Sequence, residues 1–428
     1  MKTTTLHARV SVSHGVLLFA CCLSPRAHAF VVCRCQPKAP TPTRISHAAA
    51  AAAAAASDRR SLHASHAARA TYSCRYATEP GTELDHGISC DESNCSPPIT
   101  IERYEYDEWN LTYRYRPATP GHENDEPLIL VHPVGIVCSS WIWTKMMEVW
   151  KGGAIYAPNL IGCGLEDGND AWDPDARGLS IPLGWVKAVE ALVQERAMAP
   201  PRLDTNTGND ADEREILGGF LMAKSPNNLS KGTPPSCTIV VQGGSAPIGV
   251  LLASRNPMVV SKLVLTSPPT WEDMTTATPE EDLARNYNFY RSSWGKLAFA
   301  LLESRWAVRL FSNLFLFLES CDDRWVDFST SEEATTVEAR PPVAIFNSGF
   351  LQHRSYEEEL SEVIGQPTLI INGSGDKRAE KRIEYGSEMK CCKLVTLRGT
   401  NVLPWEAPEK VCEAIQSFAQ GTRIRNMN

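Results

Sequence analysis

The stretch VVQGGSAP at residues 240–247 decides the fold of this chain. Its first residues are an apolar, β-branched run typical of a buried strand, and the sequence IGVLLAS that follows at residues 248–254 is typical of a helix. Ser245 lies between the two, flanked by small residues. A serine on a sharp strand-to-helix turn is a common nucleophile position. The pattern therefore predicts Ser245 as a catalytic nucleophile.

Four further segments follow the same pattern of an apolar run that ends in a turn, at residues 127–135, 154–164, 263–269 and 367–376. Near-continuous apolar runs are typical of parallel strands that are buried on both faces. The last segment ends at Asp376 and resembles the strand that carries the acid of a serine–histidine–acid triad in hydrolases whose serine precedes the acid along the chain.

Together these segments resemble the α/β-hydrolase superfamily, with Asn159 where an aspartate is usual in the loop NLIGCG at residues 159–164. The resemblance implies an α/β fold, a mostly parallel twisted sheet flanked by helices with a helical cap insertion. It also implies that the amides of Ala246 and Val134 form an oxyanion hole beside Ser245. The residues that the resemblance places along the site are His132, Pro133, Gly244, Asn401 and Val402.

The triad histidine is missing from its usual place. The segment RGTNVLPWEAP at residues 398–408 aligns with the loop that normally carries it, and the histidine position falls on Val402 or, one residue earlier, on Asn401. Neither side chain can take a proton from a serine, which needs an adjacent base to become a nucleophile. Asp376 is then either a loop carboxylate or the N-cap of a helix near Lys377.

Other histidines are weak replacements for the missing base. His132 opens the oxyanion loop, where the resemblance implies that it braces the backbone, and His353 lies late in the cap. His122 precedes a strand in a polar turn, and His86 lies near the start of the mature part. None of them has the required place in the chain, so Ser245 has no evident activator.

The segments VHPVG, VVQG and NVLPWE resemble a little-characterised group of α/β-hydrolase-fold proteins from cyanobacteria and chloroplasts, over residues 99–420. Members of that group often lack the serine at the strand-to-helix turn. The resemblance therefore implies the fold more strongly than an activity.

Composition limits the possible functions. The 428 residues are 43% hydrophobic and 21% charged, enough for one large α/β core, and the net charge of −8 argues against a nucleic-acid partner. The longest apolar stretch, residues 297–318, contains Glu303, Arg305 and Arg309, so it predicts an amphipathic helix rather than a transmembrane span. We predict no cofactor and no metal site, and expect a small, hydrophobic ligand or substrate.

The first 98 residues read as a targeting region. Residues 1–29 have the basic start, short apolar stretch and Ala-His-Ala ending of a signal peptide, and residues 30–78 are transit-peptide-like, with Asp58 as their only acid. This bipartite order predicts delivery to a plastid, with secretion as the alternative. Residues 79–98 read as a linker in which Cys90 and Cys95 are either a redox-sensitive bridge or, as we prefer for that compartment, free thiols.

The remaining chain divides into a core and a cap. Residues 99–270 form the first part of the core, starting with a β-hairpin and containing a disordered insertion at 199–236; residues 271–364 form the helical cap, 365–420 the second part of the core, and 421–428 a tail. Aromatic residues of the cap either line a pocket for a lipid-like or pigment-like ligand or form the cap's own core: Trp294, Phe299, Trp306, Phe311, Phe315 and Phe317.

Two functions follow from these patterns. The first is a serine hydrolase of an ester or acyl substrate, in which Ser245 attacks and Asp376 supports a base that the sequence does not reveal. The second is a hydrolase fold kept for binding or scaffolding, with its pocket retained and its covalent chemistry lost.

Overall fold

A computed structural model describes residues 97–198 and 236–426. The predicted signal peptide, the transit-like segment, nearly all of the linker and all but the last residue of the insertion predicted at 199–236 lie outside the described residues. So do His86, Cys90 and Cys95, and the structure does not bear on those predictions.

Within the described residues, eight strands form one sheet in the order β1-β2-β4-β3-β5-β6-β7-β8. The first strand pairs antiparallel with the second and the second antiparallel with β4, whereas all other neighbours are parallel. The predicted mostly parallel sheet is confirmed. The strands are β1 (Thr100–Tyr106), β2 (Trp109–Arg116), β3 (Leu128–Val131), β4 (Ile155–Pro158), β5 (Cys237–Gln242), β6 (Val260–Thr266), β7 (Thr368–Gly373) and β8 (Cys392–Leu397).

Helices cover both faces of this sheet because its central strands are apolar on both sides. Along β5, Ile239 and Val241 pack into the core of one face and Val240 into the core of the other. The α-helices are α1 (Thr144–Val149), α2 (Leu183–Leu192), α3 (Ala246–Arg255), α4 (Trp271–Thr275), α5 (Glu280–Arg291), α6 (Ser293–Leu302), α7 (Arg305–Phe311), α8 (Asp323–Ser329), α9 (Arg340–Asn347), α10 (Glu384–Glu388), α11 (Leu403–Glu406) and α12 (Pro408–Asn426).

Shorter helical turns connect these elements. The 3₁₀ turns are Ser140–Trp143, Leu165–Asp167, Gly243–Ser245, Val337–Ala339, Phe350–Gln352 and Glu380–Ile383, and the π turns are Val193–Ala197, Ser312–Leu316 and Glu359–Val363. Among the described residues, no helix combines the length and the apolar character needed to cross a membrane.

The opening hairpin turns through two residues. Asp107 and Glu108 both have positive φ, 45° and 63°, as a tight two-residue turn between strands requires.

At the other end of the chain, α12 continues to Asn426, through most of the segment predicted as a tail.

The helical insertion lies between β6 and β7. It contains α4 to α9 and begins with a capping box at Thr270, whose side chain accepts a hydrogen bond from the amide of Asp273 at 3.2 Å. The predicted helical cap is therefore present, and it enters the chain at the carboxyl end of a central parallel strand, where pockets of open α/β sheets form.

A buried polar network ties β2 to the loop after β4. The side-chain amide Nδ2 of Asn159 donates to Asp167 Oδ2 at 3.1 Å and to Thr112 Oγ1 at 3.0 Å. Asp167 also pairs with Arg114 at 2.6 Å. Because Asp167 accepts from the residue at position 159, that residue must be a donor. This requirement explains the asparagine in place of the usual aspartate.

We predict that Asn159→Asp destabilises the fold by about 1–3 kcal/mol near pH 7, because it replaces a buried donor with a second carboxylate beside Asp167. Two adjacent carboxylates raise the pKa of one of them above its unfolded value, so the loss is largest at neutral pH and shrinks as pH falls. Urea unfolding of wild type and variant at about pH 7 and about pH 5 measures it. An equal loss at both pH values would contradict the explanation.

Candidate functional site

The sharp bend between β5 and α3 falls on Gly243. The strand ends at Gln242, and Gly243 immediately takes the left-handed conformation with φ of +61°. A glycine adopts this conformation with no steric cost, whereas other residues are strained there. The 3₁₀ turn then leads directly into α3 at Ala246. The position at which a nucleophile would stand is therefore occupied by a glycine.

Ser245, the predicted nucleophile, does not line the cavity described below. Its side chain is 0% exposed, and its Oγ accepts a hydrogen bond from the amide of Val134 at 3.2 Å. The physical reason is a shift of two residues: the bend falls on Gly243, so Ser245 lies at the end of the 3₁₀ turn, just before α3, and points into the packed interior.

Both predicted oxyanion amides are also engaged inside the protein. The Val134 amide donates to Ser245 Oγ, and the Ala246 amide donates to the carbonyl of Gly243. Both residues are buried, and Ala246 does not line the cavity described below. An oxyanion hole needs donors aimed at the reacting carbonyl, so the predicted pair does not form one in this structure.

His132 braces two loops. Its Nε2 accepts from the amide of Leu160 at 3.1 Å, and its Nδ1 lies 2.9 Å from the carbonyl oxygen of Pro133, to which it donates in the matching tautomer. Burial lowers the pKa of His132 to about 4, partly offset by the bond to Pro133, so the ring is neutral at physiological pH. With both nitrogens occupied, it is not a proton acceptor, and it does not line the cavity.

Asp376 lies on the loop after β7, but its partner is an arginine. Its Oδ2 pairs with the guanidinium of Arg382 at 2.6 Å, and its Oδ1 accepts from the amide of Arg378 at 2.9 Å. Arg382 is 1% exposed and also donates to the carbonyls of Ser267 and Pro268. The carboxylate is thus part of a buried ion pair and a local turn, and is not aimed at an imidazole.

The two candidate histidine positions serve the packing. Val402 is buried in an apolar cluster directly before α11, and Asn401 is held by Gln242, whose Nε2 donates to the Asn401 carbonyl at 2.7 Å. Both residues also line the cavity described below. Gln242 in turn accepts from Thr266 Oγ1 at 2.5 Å. One glutamine therefore joins the ends of β5 and β6 to the loop in which a catalytic histidine would stand.

No histidine lines the cavity in the part of the chain that the structure describes. His353 is exposed, with its Nδ1 2.9 Å from the carbonyl of Phe350, and His122 pairs with Asp125 at 2.7 Å in the turn before β3. The described residues also contain no group of three His, Cys, Asp or Glu side chains that could hold a metal ion.

A cavity of about 120 Å³ opens between the core and the cap, beside the bend. Most of its wall is apolar, and its charged side chains are two arginines, Arg378 and Arg382, with no carboxylate. It is lined by Pro133, Val134, Gly135, Ile136, Cys138, Ile142, Gly243, Gly244, Ser267, Pro268, Pro269, Leu316, Trp325, Phe346, Asn347, Gln352, Arg378, Arg382, Asn401 and Val402.

The aromatic residues of the cap that line this cavity differ from those considered from the sequence. Phe346 packs so closely on Gly244 that a Cβ there would overlap its ring, and Trp325 forms part of the wall. None of the aromatic residues considered from the sequence lines the cavity. Phe299, Phe311 and Phe317 are buried in the apolar clusters, Phe315 is half-buried, and Trp294 and Trp306 are exposed.

Four residues at the bend and the cavity were not predicted from the sequence: Gly243, Arg378, Arg382 and Phe346. The sequence contains a signal for Gly243, because two glycines follow the strand directly and the first residue after such a strand takes the left-handed conformation. The arginines have no local signal, since they come from a loop more than a hundred residues beyond the bend.

Structural comparison finds similar solved proteins at low sequence identity. Haloalkane dehalogenase DbeA from Bradyrhizobium elkani USDA94 aligns with a TM-score of 0.51 at 16% identity, covering 77% of this chain and 100% of that chain. A membrane phospholipase A described as a bacterial virulence factor has a TM-score of 0.50 at 15% identity, with 76% and 87% covered. A serine hydrolase of carbazole degradation has 0.51 at 15%, with 75% and 99% covered.

Neither a family profile nor a curated protein matches the sequence. The fold therefore rests on the structure: a mixed sheet with the strand order given above, a strand-to-helix bend after β5, a helical insertion after β6, and the likeness to solved hydrolases over three quarters of the chain. This protein has the α/β-hydrolase fold.

Proposed function

We propose that this protein is a non-catalytic α/β-hydrolase-fold protein that binds a small molecule, mostly apolar with one anionic end, in the cavity between core and cap. The observation that carries the proposal is Gly243, because a residue without a side chain at the bend supplies no nucleophile. The hydrolase alternative loses its support, since the hydroxyl of Ser245 is buried and already bonded.

Cys138 does not replace the missing nucleophile. It lines the cavity, but burial, with a smaller contribution from the Glu166 carboxylate, raises the pKa of its thiol to about 12. The thiolate is the reactive form of cysteine, so this thiol is unreactive at neutral pH.

The size and lining of the cavity favour an amphiphilic ligand. A cavity of about 120 Å³ is comparable with one of ~150 Å³ that holds a benzene ring. Arg382 is engaged with Asp376 at 2.6 Å and with backbone carbonyls, and its side chain is 2% exposed. Arg378 has a longer ion pair, 3.9 Å to Asp273, and its side chain is 31% exposed. The anionic end of a ligand would therefore lie toward Arg378, with its apolar part against residues such as Ile142 and Phe346.

Residues 1–78 support a plastid as the site of this binding. Their order, a signal peptide followed by an acid-poor segment rich in Arg, Ser and Ala, is that of a bipartite presequence.

We predict that Ser245 is structural. The full-length protein should not react with a fluorophosphonate probe, and Ser245→Ala should lower the free energy of unfolding by about 1–3 kcal/mol, because it leaves the buried Val134 amide without its acceptor. The control is Ser387→Ala, at an exposed position, which should change stability by less than about 0.5 kcal/mol. Stoichiometric labelling that Ser245→Ala abolishes would overturn the proposed function.

We predict that benzoate binds more tightly than benzyl alcohol, which has a similar shape but no charge. Arg378→Gln should weaken benzoate roughly tenfold and leave benzyl alcohol nearly unchanged, because a charge-assisted hydrogen bond to a partly exposed arginine is lost. Isothermal titration of both ligands measures the difference.

The matched control for this test is Lys377→Gln, which removes the same charge from the neighbouring exposed residue that does not line the cavity. If Lys377→Gln weakens benzoate as much as Arg378→Gln does, the effect is general electrostatics and the cavity is not the binding site.

We predict that residues 1–78 fused to a fluorescent protein reach the plastid in an alga whose plastid has extra membranes, whereas residues 1–29 alone lead to secretion. Fluorescence microscopy of both fusions is the measurement. Secretion of the longer fusion would favour the alternative localisation.

A further inference from the structure

The outer surface of two consecutive cap helices is unusually apolar. We call it the outer cap face, formed on α6 by Trp294, Leu297 and Leu301 and, on α7 and the turn after it, by Trp306, Leu310 and Leu314. Trp294 is 73% exposed, and Leu297 and Trp306 are 60% exposed each. Exposed apolar residues scattered singly are normal, but a set at helical spacing along 21 consecutive residues marks an interaction surface.

The inner sides of both helices pack toward the same residue. Phe299 on the inner side of α6 packs in a cluster that touches Ile136, and Phe311 on the inner side of α7 packs in a second cluster that touches the same residue. The outer sides of the two helices therefore both point away from Ile136. Since Ile136 lines the cavity, the outer cap face lies on the far side of the cap from the cavity.

The exposed charges that α6 and α7 themselves carry beside this face are basic. Lys296 and Arg305 are exposed and Arg309 is half-buried, whereas Glu303, the carboxylate between α6 and α7, is buried and paired with Arg340 at 2.6 Å. The whole chain has a net charge of −8, so this segment is opposite in sign to the rest.

Two of these cations have exposed partners on the next helix. Arg305 pairs with Asp327 at 2.7 Å, and Arg309 pairs with Asp323. Exposed ion pairs of this kind contribute little and exchange readily. The two arginine side chains can therefore turn toward a surface that is more anionic than these single carboxylates.

We propose that the outer cap face docks on the surface of a bilayer that contains anionic lipids. Helices with tryptophan and leucine on one side and lysine or arginine beside them are typical of segments that lie in the membrane interface. The indole ring of tryptophan, with one apolar and one polar edge, favours this depth. Neither helix crosses the membrane, and docking requires no particular ligand in the cavity.

A lipid surface fits this face better than a protein partner. The central part of a protein interface is depleted in charged residues and requires a complementary shape, whereas here Lys296 and Arg305 stand among the apolar side chains. A fluid bilayer accepts protruding tryptophans without a matching pocket and attracts the cations at the same time.

The test is co-sedimentation of the full-length protein with vesicles of phosphatidylcholine alone or mixed with phosphatidylglycerol. Wild type should bind the mixed vesicles and bind less as salt is added. The double variant L297E/L314E, at two exposed positions, should weaken binding roughly tenfold or more. Its matched control, M258E/V363E, places the same charges at exposed apolar positions outside the face and should bind as wild type.

Three outcomes would overturn the proposal. Equal binding of wild type and L297E/L314E would show that another segment of the chain makes the contact or that this face is covered. An equal loss of vesicle binding in M258E/V363E would show that added negative charge weakens binding wherever it is placed. Wild type that does not bind vesicles but forms a dimer, which L297E/L314E separates in size-exclusion chromatography, would assign the face to a second copy. Thermal unfolding of both variants confirms that they are folded.

Discussion

The left-handed backbone of Gly243 is the constraint on which the site depends. Pairing with β3 and β6 fixes β5 up to Gln242, which lies opposite Thr266, and α3 begins only four residues later at Ala246. The chain must reverse its direction within that distance, and a positive φ directly after the strand makes this possible. This bend determines where the residues that follow it lie. Among them is Ser245, whose hydroxyl oxygen accepts a hydrogen bond from the amide of Val134 in the interior.

Several polar groups around the bend satisfy one another. An active site keeps donors and acceptors aimed at an absent substrate, at a cost in stability. Here Val134 donates to Ser245, Asp376 pairs with Arg382, and both nitrogens of His132 are occupied. Removing one member of a buried ion pair typically costs about 3–5 kcal/mol, so the Asp376–Arg382 pair fixes the loop after β7 without help from a ligand.

The sequence predicted the fold well because the signals are local. Apolar runs in front of turns located β3 and β5 to β7, and alternation located the opening hairpin. The site was harder, because the serine motif fits two registers that differ by two residues, and the apolar pattern alone does not show where β5 ends. The absence of a triad histidine could be predicted from Val402 at its usual position. The pairing of Asp376 with Arg382 could not, because it depends on how the loop after β7 folds back.

The shape of the cavity comes largely from the backbone. Gly243 forms the bend, and Gly244 lets Phe346 of the cap approach the core closely. A Cβ at Gly243 would have its nearest neighbour, Pro133, at 3.9 Å, so the space that a nucleophile would fill is open. In an enzyme that space belongs to the attacking atom. In the proposed binding protein it would add to the volume available to a ligand, and selectivity would come from the cavity walls, where Arg378 would supply the charge and the cap the apolar surface.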